Sequence, residues 1–279
     1  LFQSGERLPE LRQHYLTLGA PRRDAQGAIV NAALLLHNTT GSAKGWLVPE
    51  LADELFGPGQ PLDAAQFYIV MPDAIGFGGS SKPSNGLRAR FPQYRYADMV
   101  VAQHRLLTEG LGIRHVRLVL GLSMGGMLTW LWGQTFPDFM DALVPLASQP
   151  AAMSGRNWMQ RRMQIESIRS DPDWNGGNYE QQPTRYTLTP FGALMTQSVV
   201  RLQERAPTRE TGGGASPDGA GRTGPVDSGG SLRCLYRVPG HLHPEGQAWA
   251  MRTRLPLGSR TAQSRAPQGC DVGSCRISA

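Results

Sequence analysis

Val116-Arg117-Leu118-Val119-Leu120-Gly121-Leu122-Ser123-Met124-Gly125-Gly126-Met127 is the stretch that decides how this chain is read. Val116–Gly121 is a short apolar run with β-branched residues, the composition of a strand buried on both faces in a parallel sheet. Met127–Thr135 follows as a helix and stops near Pro137. Between them lies Gly121-x-Ser123-x-Gly125, where the chain must turn sharply from strand into helix. The serine then takes strained backbone angles, and the flanking glycines leave room for the turn to close. Its hydroxyl projects from the sheet edge at a helix N-terminus, where free amides and the macrodipole favour negative charge. This is what a serine nucleophile in acyl transfer requires. The amide of Met124 is the first expected donor to the oxyanion, and the second should come from the loop after an earlier strand.

Working outward, the same alternation recurs. Leu11–Gly19 alternates apolar and polar residues and suits a half-buried strand. Ile29–His37 and Phe67–Pro72 are near-continuous apolar runs, expected as two further buried strands, and Ala142–Ala147 is expected as another. Residues 43–56 and Tyr96–Leu111 carry apolar residues at helical spacing. Strands alternating with helices predict an α/β fold with a mainly parallel sheet flanked by helices. The loop Leu36–Ser42 after the first buried strand has the small, polar make-up of an oxyanion loop, and the Thr39 amide is its expected donor. His37, at the strand end, is expected to shape that loop and not to accept a proton.

The composition changes near residue 206. Residues 1–150 read as the α/β core, 151–205 as helices and loops, and 206–279 as an atypical, low-complexity tail. In those last 74 residues Leu, Ile, Val and Phe number only nine while Gly numbers thirteen. That is too little apolar surface to offset chain entropy. All three cysteines fall there, and Cys270-x4-Cys275 matches no common zinc pattern. No cofactor motif and no metal site are expected. The net charge of +6 comes from 26 Arg and 2 Lys against 22 acids, with no basic run longer than two, so nucleic acid is not an expected partner. The longest apolar runs are far short of the ~20 residues of a membrane helix, so no membrane partner is expected either. No signal peptide is legible, and the sequence leaves the compartment unknown: cytoplasmic or, had a leader been removed, periplasmic or secreted.

A serine hydroxyl near neutral pH needs an imidazole beside it and a carboxylate to orient that imidazole. The chain offers six histidines, His14, His37, His104, His115, His241 and His243. Within residues 151–205, Trp158 and Met159 are the candidate substrate contacts for an apolar acyl group.

Several segments together resemble the α/β-hydrolase superfamily, and more narrowly its branch of homoserine O-acetyltransferases and their hydrolase-like relatives. They are His37-Asn38-Thr39-Thr40-Gly41, Pro72-Asp73-Ala74-Ile75-Gly76-Phe77-Gly78-Gly79-Ser80-Ser81, Tyr96-Ala97-Asp98-Met99-Val100-Val101-Ala102-Gln103, Gly121–Met127 and Asp171-Pro172-Asp173-Trp174-Asn175-Gly176-Gly177. The resemblance implies that residues 151–205 form a helical cap over the site, and a Ser, Asp, His order along the chain; on that order His241 and His243, which follow the serine, are the candidate base, and Asp227, with Asp218 as a weaker choice, is the candidate acid. It also implies two further strands after the cap, carrying the Asp and His motifs, which residues 206–279 do not show. The transferases usually carry an Asn-x-Leu-Gly-Gly-Cys type loop where this chain has Asp73–Gly79. That departure favours hydrolysis of a small-molecule ester over acyl transfer to an amino-acid alcohol. A catalytically impaired binding module is the third reading, and the cap offers a surface for a homodimer.

Overall fold

The structure is a computed structural model, and it describes residues 1–181, 183, 198–205, 207–208 and 271–278. Glu10–Leu18 forms β1, Ala32–Leu36 β2, Tyr68–Pro72 β3, Leu118–Leu122 β4, Leu143–Leu146 β5 and Asp271–Ser278 β6. They make one sheet in the order β5-β4-β2-β3-β1-β6. Strands β2 to β5 pair in parallel, with Leu34 opposite both Val70 and Val119, and β1 lies antiparallel between β3 and β6.

Parallel neighbours need crossovers, and three helices supply them. They are α1 (Pro49–Leu55), α2 (Tyr96–Arg105) and α3 (Met124–Thr135). Successive side chains of a strand point to opposite faces, and β2 shows what that demands. Ala32, Leu34 and Leu36 join Met99, Val100, Leu128 and Trp132 of α2 and α3 on one face. Ala33 and Leu35 join Trp46, Ala52 and Phe56 on the other. With both faces covered, an unbroken apolar run is the only pattern that leaves no polar side chain stranded. Trp132, fully buried, donates its Nε1–H to Gln103 Oε1 at 2.9 Å and so ties α3 to α2.

The expected single helix over 43–56 is two pieces, a 3₁₀ turn at Ala43–Leu47 and then α1. Pro49 separates them: it holds Val48 extended (ψ 141°), as the residue before a proline usually is. The composition of the tail predicts no regular structure, yet β6 lies within it and pairs with β1 over eight residues, from Glu10 opposite Ser278 to Thr17 opposite Asp271. Asp-Val-Gly-Ser-Cys-Arg-Ile-Ser has little β character of its own; the long alternating β1 provides the template. At the other margin, β5 pairs with β4 alone among the described residues.

Beyond the sheet come α4 (Gly155–Arg169), a 3₁₀ turn at Pro172–Gly177 and α5 (Val199–Arg205). None of the residues of α4 is buried.

Leu34 has no exposed surface and sits between two strands and two helices. Leu34→Ala should lower the unfolding free energy by about 2–5 kcal/mol, read as a shift of the urea midpoint at unchanged slope.

Candidate active site

Ser123 stands between β4 and α3 with φ 55° and ψ −109°. A non-glycine residue at positive φ costs on the order of 1–3 kcal/mol, and it persists only where its surroundings leave no alternative. Here they leave none. The Ser123 amide donates to the Leu146 carbonyl at 2.9 Å, and the Ser123 carbonyl accepts from the Met127 amide at 3.0 Å. A Cβ at Gly125 would strike the Leu36 carbonyl and lie 2.8 Å from that of His37. One at Gly121 would strike the Gly125 carbonyl, which accepts from the buried Thr129 hydroxyl at 2.9 Å. One at Gly126 would lie 2.7 Å from the Leu146 carbonyl. The expected turn is therefore present, closed by three glycines. A second strained residue, Ala147 (φ 48°), follows the Leu146 carbonyl that holds the serine.

Ser123 is half-buried and Met124 buried. Met124 opens α3, so its amide has no acceptor within the helix. It is free to serve as a donor beside the serine.

The loop after β2 is held in equal detail. His37 Nδ1 lies 2.7 Å from the Asn38 carbonyl, and its Nε2 lies 3.0 Å from the Ala74 amide. A carbonyl only accepts and an amide only donates, so Nδ1 carries the proton and Nε2 is bare. Burial pushes the His37 pKa below its ordinary 6.5. His37 thus shapes the loop, as expected from its position. The Asn38 carbonyl also accepts from the Gly41 amide at 3.2 Å, closing a turn over residues 38–41. Across a trans peptide the amide hydrogen points opposite to the carbonyl oxygen. Pinning the Asn38 oxygen inward therefore aims the Thr39 amide outward. Thr39 is exposed, and its amide has no hydrogen bond among the described residues.

A buried acid, which the sequence pattern does not single out, completes this region. Asp73 is 2% exposed. Its Oδ1 accepts from the Ala43 amide and its Oδ2 from the Gly79 amide, both at 2.7 Å. His14 Nδ1 stands 2.7 Å from Oδ2, off the line of a hydrogen bond.

The four described imidazoles are placed elsewhere than on Ser123. His14 faces Asp73, and His37 is spent on backbone. His104 stacks on Phe136 with ring centres 3.9 Å apart. His115 contacts the Asp138 carbonyl and the Asp141 carboxylate. Asp218, Asp227, His241 and His243 lie outside the described residues. Trp158 and Met159, on α4, are 50% and 66% exposed. Among the described residues no cluster of three metal-ligating side chains occurs.

Residues 34–205 match the family model described as alpha/beta hydrolase fold. The chain is 33% identical to a homoserine O-acetyltransferase of Thermobifida fusca, in an alignment covering 98% of this chain and 72% of that protein. Among solved structures it is similar to the acetyl esterase MekB, with a TM-score of 0.61 and 30% identity over 70% of this chain and 55% of the other. It is also similar to an acetylester hydrolase from Corynebacterium glutamicum, with a TM-score of 0.62 and 25% identity over 75% and 62%. Across several curated relatives the chain spans between 47% and 72% of their length.

The buried His37 gives a pH prediction. With its folded pKa held below 6.5, the native state keeps the ring neutral where the unfolded chain takes up a proton. This contribution to stability is whole above about pH 6.5 and is lost as the pH falls toward the depressed folded value. His104, lowered by burial too, adds to the same slope. The melting temperature should fall between about pH 7 and pH 5, and His37→Gln should show a shallower fall over that window.

Proposed function

The chain belongs to the α/β hydrolase fold family, in the branch of the homoserine O-acetyltransferases and their esterase-like relatives, and we propose that it cleaves carboxylic esters through an acyl-enzyme on Ser123. The observation that carries the reading is the strained serine, φ 55°, at the mouth of α3. Such a conformation has no use in packing, and three glycines are committed to accommodating it.

In the proposed reaction Ser123 Oγ attacks the ester carbonyl and its proton passes to a base. The carbonyl oxygen becomes an oxyanion between the Met124 and Thr39 amides. These donors are set before the reaction begins, so they need no reorganisation as charge develops. Collapse of the adduct breaks the ester C–O bond, and the alcohol leaves with the proton. Water, deprotonated by the same base, then releases the carboxylic acid and restores Ser123. His241 or His243, oriented by Asp227, is the proposed base, following the Ser, Asp, His order that the family resemblance implies. Trp158 and Met159 are proposed to contact the acyl group.

Acyl transfer differs only in the second step, where an alcohol acceptor replaces water. The name of the T. fusca relative favours it. The loop Asp73–Gly79 favours water, since it departs from the Asn-x-Leu-Gly-Gly-Cys pattern of the transferases.

Wild-type protein should release p-nitrophenol from p-nitrophenyl acetate with an initial burst and take a fluorophosphonate label on Ser123. Ser123→Ala should lose the label and at least about 10³-fold in rate. Equal rates from both proteins would overturn the proposal, and acetyl transfer from acetyl-CoA to homoserine outrunning hydrolysis would move it to the transferase reading.

A further inference from the structure

The loop Asn38–Ser42 is five residues long, and both its ends are held by one dipeptide. At the near end the Ala74 amide donates to His37 Nε2 at 3.0 Å. At the far end the Ala43 amide donates to Asp73 Oδ1 at 2.7 Å. Asp73 is itself immobilised. Its amide donates to the His14 carbonyl at 2.9 Å, and its carbonyl accepts from Gln13 Nε2 at 3.1 Å and from the Ser80 hydroxyl at 2.8 Å. The other carboxylate oxygen holds the Gly79 amide and faces His14. A Cβ at Gly78 would strike this carboxylate, and one at Gly79 would lie 2.6 Å from the His14 ring. The packing around the group is thus built to its shape.

A buried carboxylate is expensive unless it is bonded on every side. The core here has no requirement for a charge, but the two loops have amides that would otherwise be orphaned. We infer that the Asp73 carboxylate is a positioning group for the donor loop: it fixes the far end of Asn38–Ser42 and thereby sets where the Thr39 amide stands. The inference rests on the acyl-enzyme reading of Ser123 given above. Asp73 is buried, and it acts through the Ala43 amide, two residues past the turn that the Gly41 amide closes on the Asn38 carbonyl. At the near end the Ala74 amide on His37, with Gly125 packed under the Leu36 and His37 carbonyls, holds the chain without a charge.

Two variants at Asp73 test this. Asp73→Asn keeps the volume but accepts with one oxygen only and turns an NH₂ group toward the second amide. Asp73→Ala removes both acceptor oxygens and leaves the Ala43 and Gly79 amides without that partner. Both should hydrolyse p-nitrophenyl acetate with kcat, per site titrated by fluorophosphonate, reduced about 10- to 100-fold. KM should stay within about twofold, because the donors act on the oxyanion and not on the ground-state ester. Cooperative melting should be retained. Wild-type kcat in either folded variant overturns the inference, as does a raised KM at unchanged kcat. Loss of cooperative melting in both variants overturns it too, since the carboxylate would then hold the fold and not the loop. Absence of label on wild-type Ser123 is the separate result that removes the acyl-enzyme reading itself.

Discussion

The approach of Gly125 to the end of β2 is the constraint on which the site depends. With no side chain at 125, the first turn of α3 lies directly under the Leu36 and His37 carbonyls. That contact joins two things that must be near each other for acyl chemistry: the strand-to-helix turn that carries Ser123 and the loop that carries Thr39. Gly121 and Gly126 close the turn from its other sides, and the Leu146 carbonyl holds the serine amide. The strain at Ser123, on the order of 1–3 kcal/mol, is small against the burial of the surrounding core, so the fold sustains it.

The sheet is legible in the sequence because its chemistry is unambiguous there. Ala32–Leu36 contacts apolar residues on both faces, and a run without polar interruption is the direct record of that. The serine turn is legible in the same way: glycines at fixed spacing between an apolar strand and a helix serve little purpose except to let the chain reverse tightly. His37 takes a structural part by its place at a strand end, and its two backbone contacts agree.

Some features stay hidden in the sequence for identifiable reasons. β6 has little apolar pattern, and it becomes a strand because β1 offers it eight residues to pair with. Asp73 is visible as part of a loop but not as a buried acid. Its partners, Ala43, Gly79 and His14, are 30, 6 and 59 positions away, and two of them contribute only backbone amides, which nearly every residue has. Proline at 49 marks a break in the 43–56 helix, yet the apolar spacing on either side of it conceals the interruption.

The stacking of helix backbone on strand carbonyls has a consequence for how this site can change. Close-packed interiors have low compressibility and transmit strain, and rotamer changes of intervening side chains take up only part of a displacement. Here two main chains meet with nothing between them. A sub-ångström translation of β2 along its axis, caused by repacking at Ala33 or Leu35 deep in the interior, would be delivered undamped to Ser123 and to the Met124 and Thr39 amides. Tolerance to substitution along that strand should accordingly be narrower for turnover than for folding.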